Sequence, residues 1–143
     1  MPQRHMPLPL FRDILSRLPP GQHTVSLQGE GEPLTHPEFW EMVKLVEQRG
    51  CIPYTITNGS KIDPERMGLY FPWIGVSLDT LDADEAQRIG RYAHLVGRER
   101  VIGGVDCGFS IHVGSGGLDP EVVWAKLAAL AEGAAIASRS FWR

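Results

Sequence analysis

Apolar residues recur at helical spacing through Leu8–Leu18, where Leu10, Phe11, Ile14, Leu15 and Leu18 predict a helix that Pro19-Pro20-Gly21 ends. Pro9 sits in its first turn, where a missing N–H is tolerated. His23–Gln28 is short and β-prone, and a polar Gly/Pro loop follows it. Pro37 opens a second helix with Phe39, Trp40, Val43, Leu45 and Val46 on a broad apolar side and Gly50 at the C′ position. Ile52–Thr57 predicts a second strand, ended by the turn pair Asn58-Gly59. Asp63-Pro64 reads as an N-cap and first-turn proline of a helix to about Tyr70. Trp73–Leu78 is a third strand, apolar enough to be covered on both faces. From Asp82 a helix runs to about Val96, with Ala86, Ile89 and Ala93 inward, joined by Val96. Arg100–Val105 is a fourth strand. After a glycine-rich loop, Asp119-Pro120 caps a long final helix with Val122, Val123, Leu127, Leu130, Ala131 and Ala134 on its apolar side.

Four strands, each followed by a helix, with one helix ahead of the first strand, make an α/β pattern: a parallel (β/α)4 half of a TIM-type barrel with an extra N-terminal helix. Four such units are about half of a full barrel of roughly 250 residues. The expected outcomes are an open sheet, a homodimer whose second copy completes the barrel, or membership of a larger assembly.

Composition narrows the function classes. The 143 residues carry a formal net charge of −3, which argues against a nucleic-acid backbone binder. No apolar run approaches the roughly 20 residues that span a bilayer, so no membrane insertion is expected. The opening MPQRHMPLPLFRD is neither a secretory signal nor a transit peptide, and a cytoplasmic location is expected. Cys51 and Cys107 cannot make a disulfide framework, as befits a reducing compartment. Two thiols also fall short of a four-thiolate zinc site or the cysteine set of an iron–sulfur cluster.

In parallel α/β folds chemistry sits at the carboxyl ends of the strands, here Gly29–His36, Thr57–Lys61, Ser77–Asp82 and Asp106–Gly117. In the first, Gly29 and Gly31 let backbone approach a ligand closely, and Glu32 could accept from an ammonium group. The same run also reads as an acidic surface turn. Ser77 and Asp79 form an acceptor-rich tip suited to ribose hydroxyls, whereas Thr57-Asn58-Gly59 fits either a site or a plain turn. Glu30, Glu32, Asp79 and Asp82 could hold a divalent ion or stand as solvated loop carboxylates. Gly114–Gly117 lacks the Lys-Ser/Thr of a phosphate loop and precedes Asp119, which would repel an anion, so it reads as a connector. His5, His23 and His94 have no partner pattern. Trp40, Trp73, Trp124 and Trp142 read as packing residues, and Cys51 as a buried apolar strand residue.

Together these tips resemble the radical S-adenosylmethionine (radical SAM) family over about Leu8–Tyr92. That family carries a Gly-Gly-Glu-Pro-like loop, matched by Gly29-Glu30-Gly31-Glu32-Pro33-Leu34 with His36-Pro37 after it. Thr57-Asn58-Gly59 and Val76-Ser77-Leu78-Asp79 follow in order. The resemblance implies S-adenosylmethionine as cofactor, with Gly29, Gly31, Glu32, Asn58, Ser77 and Asp79 as its binding set. Gly31 and Glu32 would hold the methionine amino group, and Ser77 and Asp79 would lie near its carboxylate or ribose. The family's Cys-X3-Cys-X2-Cys loop has no counterpart, because no cysteine precedes Cys51. An iron–sulfur cluster is therefore not expected on this chain, and no catalytic residue is assigned.

From about Ala93 to Trp142 the sequence resembles the end of the barrel of cobalamin-independent methionine synthase-like proteins, where a strand ends as Asp106-Cys107-Gly108-Phe109 does. That likeness implies a zinc thiolate at Cys107 and methyl transfer to a thiol. The family's His-X-Cys pair and Glu are missing, and Cys107 with His112 falls short of the usual three or four ligands, so zinc is not expected. The expectation is a truncated or fused chain, parts 1–92 and 93–143, packed as one continuous domain and without robust activity alone.

Overall fold

The computed structural model describes residues 5–19, 21, 23–77, 88–105 and 119–142. They form a mixed α/β structure that divides into two compact units, Met1–Ile74 and Gly75–Arg143. The strands lie in two small sheets.

The first unit opens with α1 (Leu8–Arg17), followed by β1 (Thr24–Ser26), a 3-10 turn (Pro33–Thr35) and α2 (Phe39–Gln48). Then come β2 (Ile52–Tyr54), β3 (Ile56–Thr57) and α3 (Pro64–Tyr70). Local chemistry sets several of these ends. The Asp63 carboxylate accepts from the Arg66 N–H at 3.2 Å, capping α3 as its Asp-Pro pair predicts. Gly50 takes φ +77° just beyond α2, a conformation that costs glycine little. Arg49 reaches back to the end of α1, donating to the Ser16 and Leu18 carbonyls at 2.9 and 2.5 Å.

β1 and β2 are parallel, with Thr24 opposite Ile52 and Ser26 opposite Tyr54. The expected single strand Ile52–Thr57 is two short strands. Ile52 N–H donates to His23 O and Tyr54 O accepts from Leu27 N–H, so alternate residues of β2 face β1. Pro53, between them, has no N–H for a partner on the opposite side. Thr55 is fully buried and turns its hydroxyl onto the Leu27 carbonyl at 2.8 Å.

Phe11, Leu15, Leu27, Phe39, Met42, Val43, Val46, Met67, Phe71 and Ile74 are buried core residues of this unit. Val43 and Val46 are wholly inaccessible, each worth about 1.5–3 kcal/mol relative to exposure. Phe39 stacks on Phe71 with ring centroids 6.3 Å apart, fixing α2 against the residue that ends α3. Cys51 is free and buried, as expected. Leu10 and Ile14 are exposed, so the inward face of α1 is narrower than its apolar spacing suggests.

In the second unit, β4 (Ile74–Ser77, crossing the unit boundary) and β5 (Val101–Gly104) are neighbours in a sheet. α4 (Arg88–Val96) and α5 (Pro120–Phe141) pack on each other and on β5. Ile89, Tyr92, Ala93 and Val96 are buried, three of them expected from spacing. α5 starts where Asp119-Pro120 places it, with the Asp119 carboxylate accepting from Glu121 N–H at 2.9 Å. Its inward stripe differs from expectation: Ala129, Gly133 and Ala137 are buried, while Val122 and Leu127 are exposed. The buried positions run at i, i+4 and i+8 through small residues, while the half-buried Leu130 is the α5 side chain beside Gly103 of β5. Trp124 is 70% exposed, which corrects its reading as a packing residue; Trp142 is exposed too, under the Arg98 guanidinium at 4.9 Å.

Candidate functional site

The loop leaving β1 is shaped by its glycines. Gly29 and Gly31 face each other across a backbone bridge, and Gly31 adopts φ +90°, a conformation that L side chains rarely take. A Cβ at Gly29 would meet nothing within 4 Å, so packing leaves open space there. Both glycines line a pocket of about 400 Å³ whose apolar wall includes Phe11, Leu27, Phe39 and Met42. His5 and His36 also line it, their rings edge to face at 4.9 Å. His36 Nδ1 accepts from Glu38 N–H at 3.0 Å, and the opposite nitrogen lies 3.0 Å from the Met6 carbonyl. That arrangement fits the neutral imidazole with its proton on Nε2.

Glu32 ends the loop and is also part of the pocket wall. Its Oε1 accepts from Leu34 N–H at 3.2 Å, capping the 3-10 turn, and from the Thr57 hydroxyl at 2.6 Å. Its Oε2 accepts from Asn58 N–H at 2.7 Å. One carboxylate thus joins the loop after β1 to the end of β3. Thr57 is buried, and its hydroxyl also accepts from Gly59 N–H at 2.9 Å. The Asn58 side chain takes the Ser60 N–H at 2.9 Å, an Asx turn.

Of the residues expected at the site, Gly29, Gly31, Glu32 and Asn58 are brought together in one unit. Asn58 acts through its backbone N–H. Ser77 lies half-buried at the end of β4. Asp79 and Cys107 fall outside the described residues. Among the described residues no group of three His, Cys, Asp or Glu side chains is placed to hold a metal ion. Thr57 reads in the sequence as the end of a strand and the start of the Thr57-Asn58-Gly59 tip; its partner Glu32 lies 25 residues away and has no local signal.

The chain is 30% identical over 95 residues to an S-adenosylmethionine-dependent nucleotide dehydratase of Lacinutrix mariniflava. The match takes in 64% of this chain and 20% of that protein, so the chain spans about a fifth of its relative's length. No protein-family model and no solved structure matches the chain. No helix among the described residues is long and apolar enough to cross a membrane.

Proposed function

We propose that the Met1–Ile74 unit is an S-adenosylmethionine-binding part of a radical SAM-like scaffold, without radical chemistry of its own. The observation that carries this reading is the Glu32 carboxylate, fixed beside open glycine backbone on the wall of an apolar pocket. The relative whose name states dependence on S-adenosylmethionine supports the same cofactor class.

The residues present fit such a ligand. Its ammonium group needs acceptors, which the Glu32 carboxylate and the carbonyls of the glycine loop supply. Its adenosyl and thioether parts need apolar surface, available from Phe11, Leu27, Phe39 and Met42. The pocket volume falls within the roughly 300–1,000 Å³ usual for small-molecule sites. Bound S-adenosylmethionine supplies the sulfonium chemistry; these residues bind and orient it. They do not fit an iron–sulfur cluster. The chain has two cysteines, and Cys51 is a buried residue leading into β2, so no step is assigned through a cluster.

Isothermal titration with S-adenosylhomocysteine tests the reading. Wild type binds, and Glu32→Ala weakens binding about tenfold or more, roughly 1.4 kcal/mol. Equal heats for the two proteins remove Glu32 from the site.

A further inference from the structure

We propose that Thr57 is a positioning residue for Glu32, one that decides which carboxylate oxygen is left to meet the ammonium group of an adenosyl amino acid. This inference rests on the binding reading above. A carboxylate oxygen has room for about two donors. Glu32 Oε1 already takes two, from Leu34 N–H and the Thr57 hydroxyl, whereas Oε2 takes one, from Asn58 N–H. Oε1 is therefore the structural oxygen, and Oε2 keeps capacity for one more donor.

The Thr57 hydroxyl holds this division in place. It accepts from Gly59 N–H, which leaves its proton for Glu32, and the resulting O–H···O⁻ contact is short, at 2.6 Å. Thr57 is only 1% exposed, so water does not readily replace the bond. The Gly59 N–H reaches the same hydroxyl at 2.9 Å, and Gly59 itself, at φ +75°, takes a backbone conformation that favours glycine. Glutamate has three side-chain torsions, and a site that must meet an ammonium benefits from fixing them before the ligand arrives. Thr57 touches no ligand in this scheme; it acts through Glu32.

The test compares S-adenosylhomocysteine with its desamino analogue, identical but for the missing amino group, by titration calorimetry on wild type, Thr57→Ser and Thr57→Val. Wild type favours the amino ligand about tenfold or more. Thr57→Ser, which keeps the hydroxyl, retains that preference. Thr57→Val reduces it to about twofold while leaving the affinity for the desamino analogue unchanged. A merely structural role moves both ligands together, and that result, or an unaltered preference in Thr57→Val, overturns the proposal with the binding reading intact. Failure of wild type to bind S-adenosylhomocysteine overturns both. Should Thr57→Val not fold, amide spectra of the wild-type protein decide: the Asn58 N–H shifts with S-adenosylhomocysteine and not with the desamino analogue, and equal shifts contradict the assignment.

Discussion

The Thr57 hydroxyl donates to Glu32 Oε1 across 2.6 Å, tying together residues 25 apart in sequence. With the Asn58 N–H on the other oxygen, this contact makes the carboxylate a brace between the loop after β1 and the end of β3. The same group that the binding reading assigns to a ligand therefore also supports the fold, and its two roles have separate consequences.

Replacing Glu32 by alanine leaves the buried Thr57 hydroxyl and the N–H groups of Leu34 and Asn58 without their acceptor. The expected loss is about 2–3 kcal/mol, the range for a charged acceptor whose donors are left unpaired. Urea unfolding at constant m-value measures it. A loss below about 0.5 kcal/mol contradicts the brace.

The two loop glycines should separate stability from binding. Gly31→Ala forces an L side chain to φ +90° and should cost about 1–2 kcal/mol. Gly29→Ala meets open space and should change stability by under about 0.5 kcal/mol, yet it places a methyl on the pocket wall and weakens S-adenosylhomocysteine binding. Thermal unfolding and calorimetry on the same samples check both halves.

In the second unit, a Cβ at Gly103 would lie 2.8 Å from Ile89 Cδ1. Gly103→Ala should therefore push the terminal methyl of Ile89 aside, at a cost of about 0.5–1.5 kcal/mol. Ile89→Val removes the clashing methyl, so the double variant should recover part of that loss. Strict additivity in the double-mutant cycle argues against the contact.

The Arg98 guanidinium, hydrogen-bonded to Glu99 at 3.1 Å, holds the Glu99 carboxyl below the usual carboxylate range. A carboxyl lowered in the folded state adds stability at neutral pH, and that increment is lost as pH falls through the lowered value. Glu99 is fully exposed, so salt should weaken the effect. Carboxyl-carbon NMR titration should show a depressed midpoint that rises in Arg98→Gln. An unmoved midpoint contradicts the pairing.

The sequence made helix ends readable because they depend on neighbours: Asp63-Pro64, Asp119-Pro120 and Gly50 act within one turn. The glycine loop and Glu32 were readable for the same reason, since their special backbone and charge stand out locally. Three features were not. The break between β2 and β3 falls at Thr55, whose hydroxyl turns onto the distant Leu27 carbonyl, a tertiary contact. The inward stripe of α5 runs through Ala129, Gly133 and Ala137, small residues that apolar spacing does not set apart from Leu127. Thr57 found its partner through tertiary folding, and a threonine before Asn-Gly carries no local mark of it.

Chemical-shift mapping of S-adenosylhomocysteine on the isotopically labelled protein tests the central claim most directly. The account predicts saturable shifts concentrated at Leu27, Gly29, Gly31 and Asn58. Saturable shifts confined to residues away from this pocket, or none at millimolar ligand, contradict it.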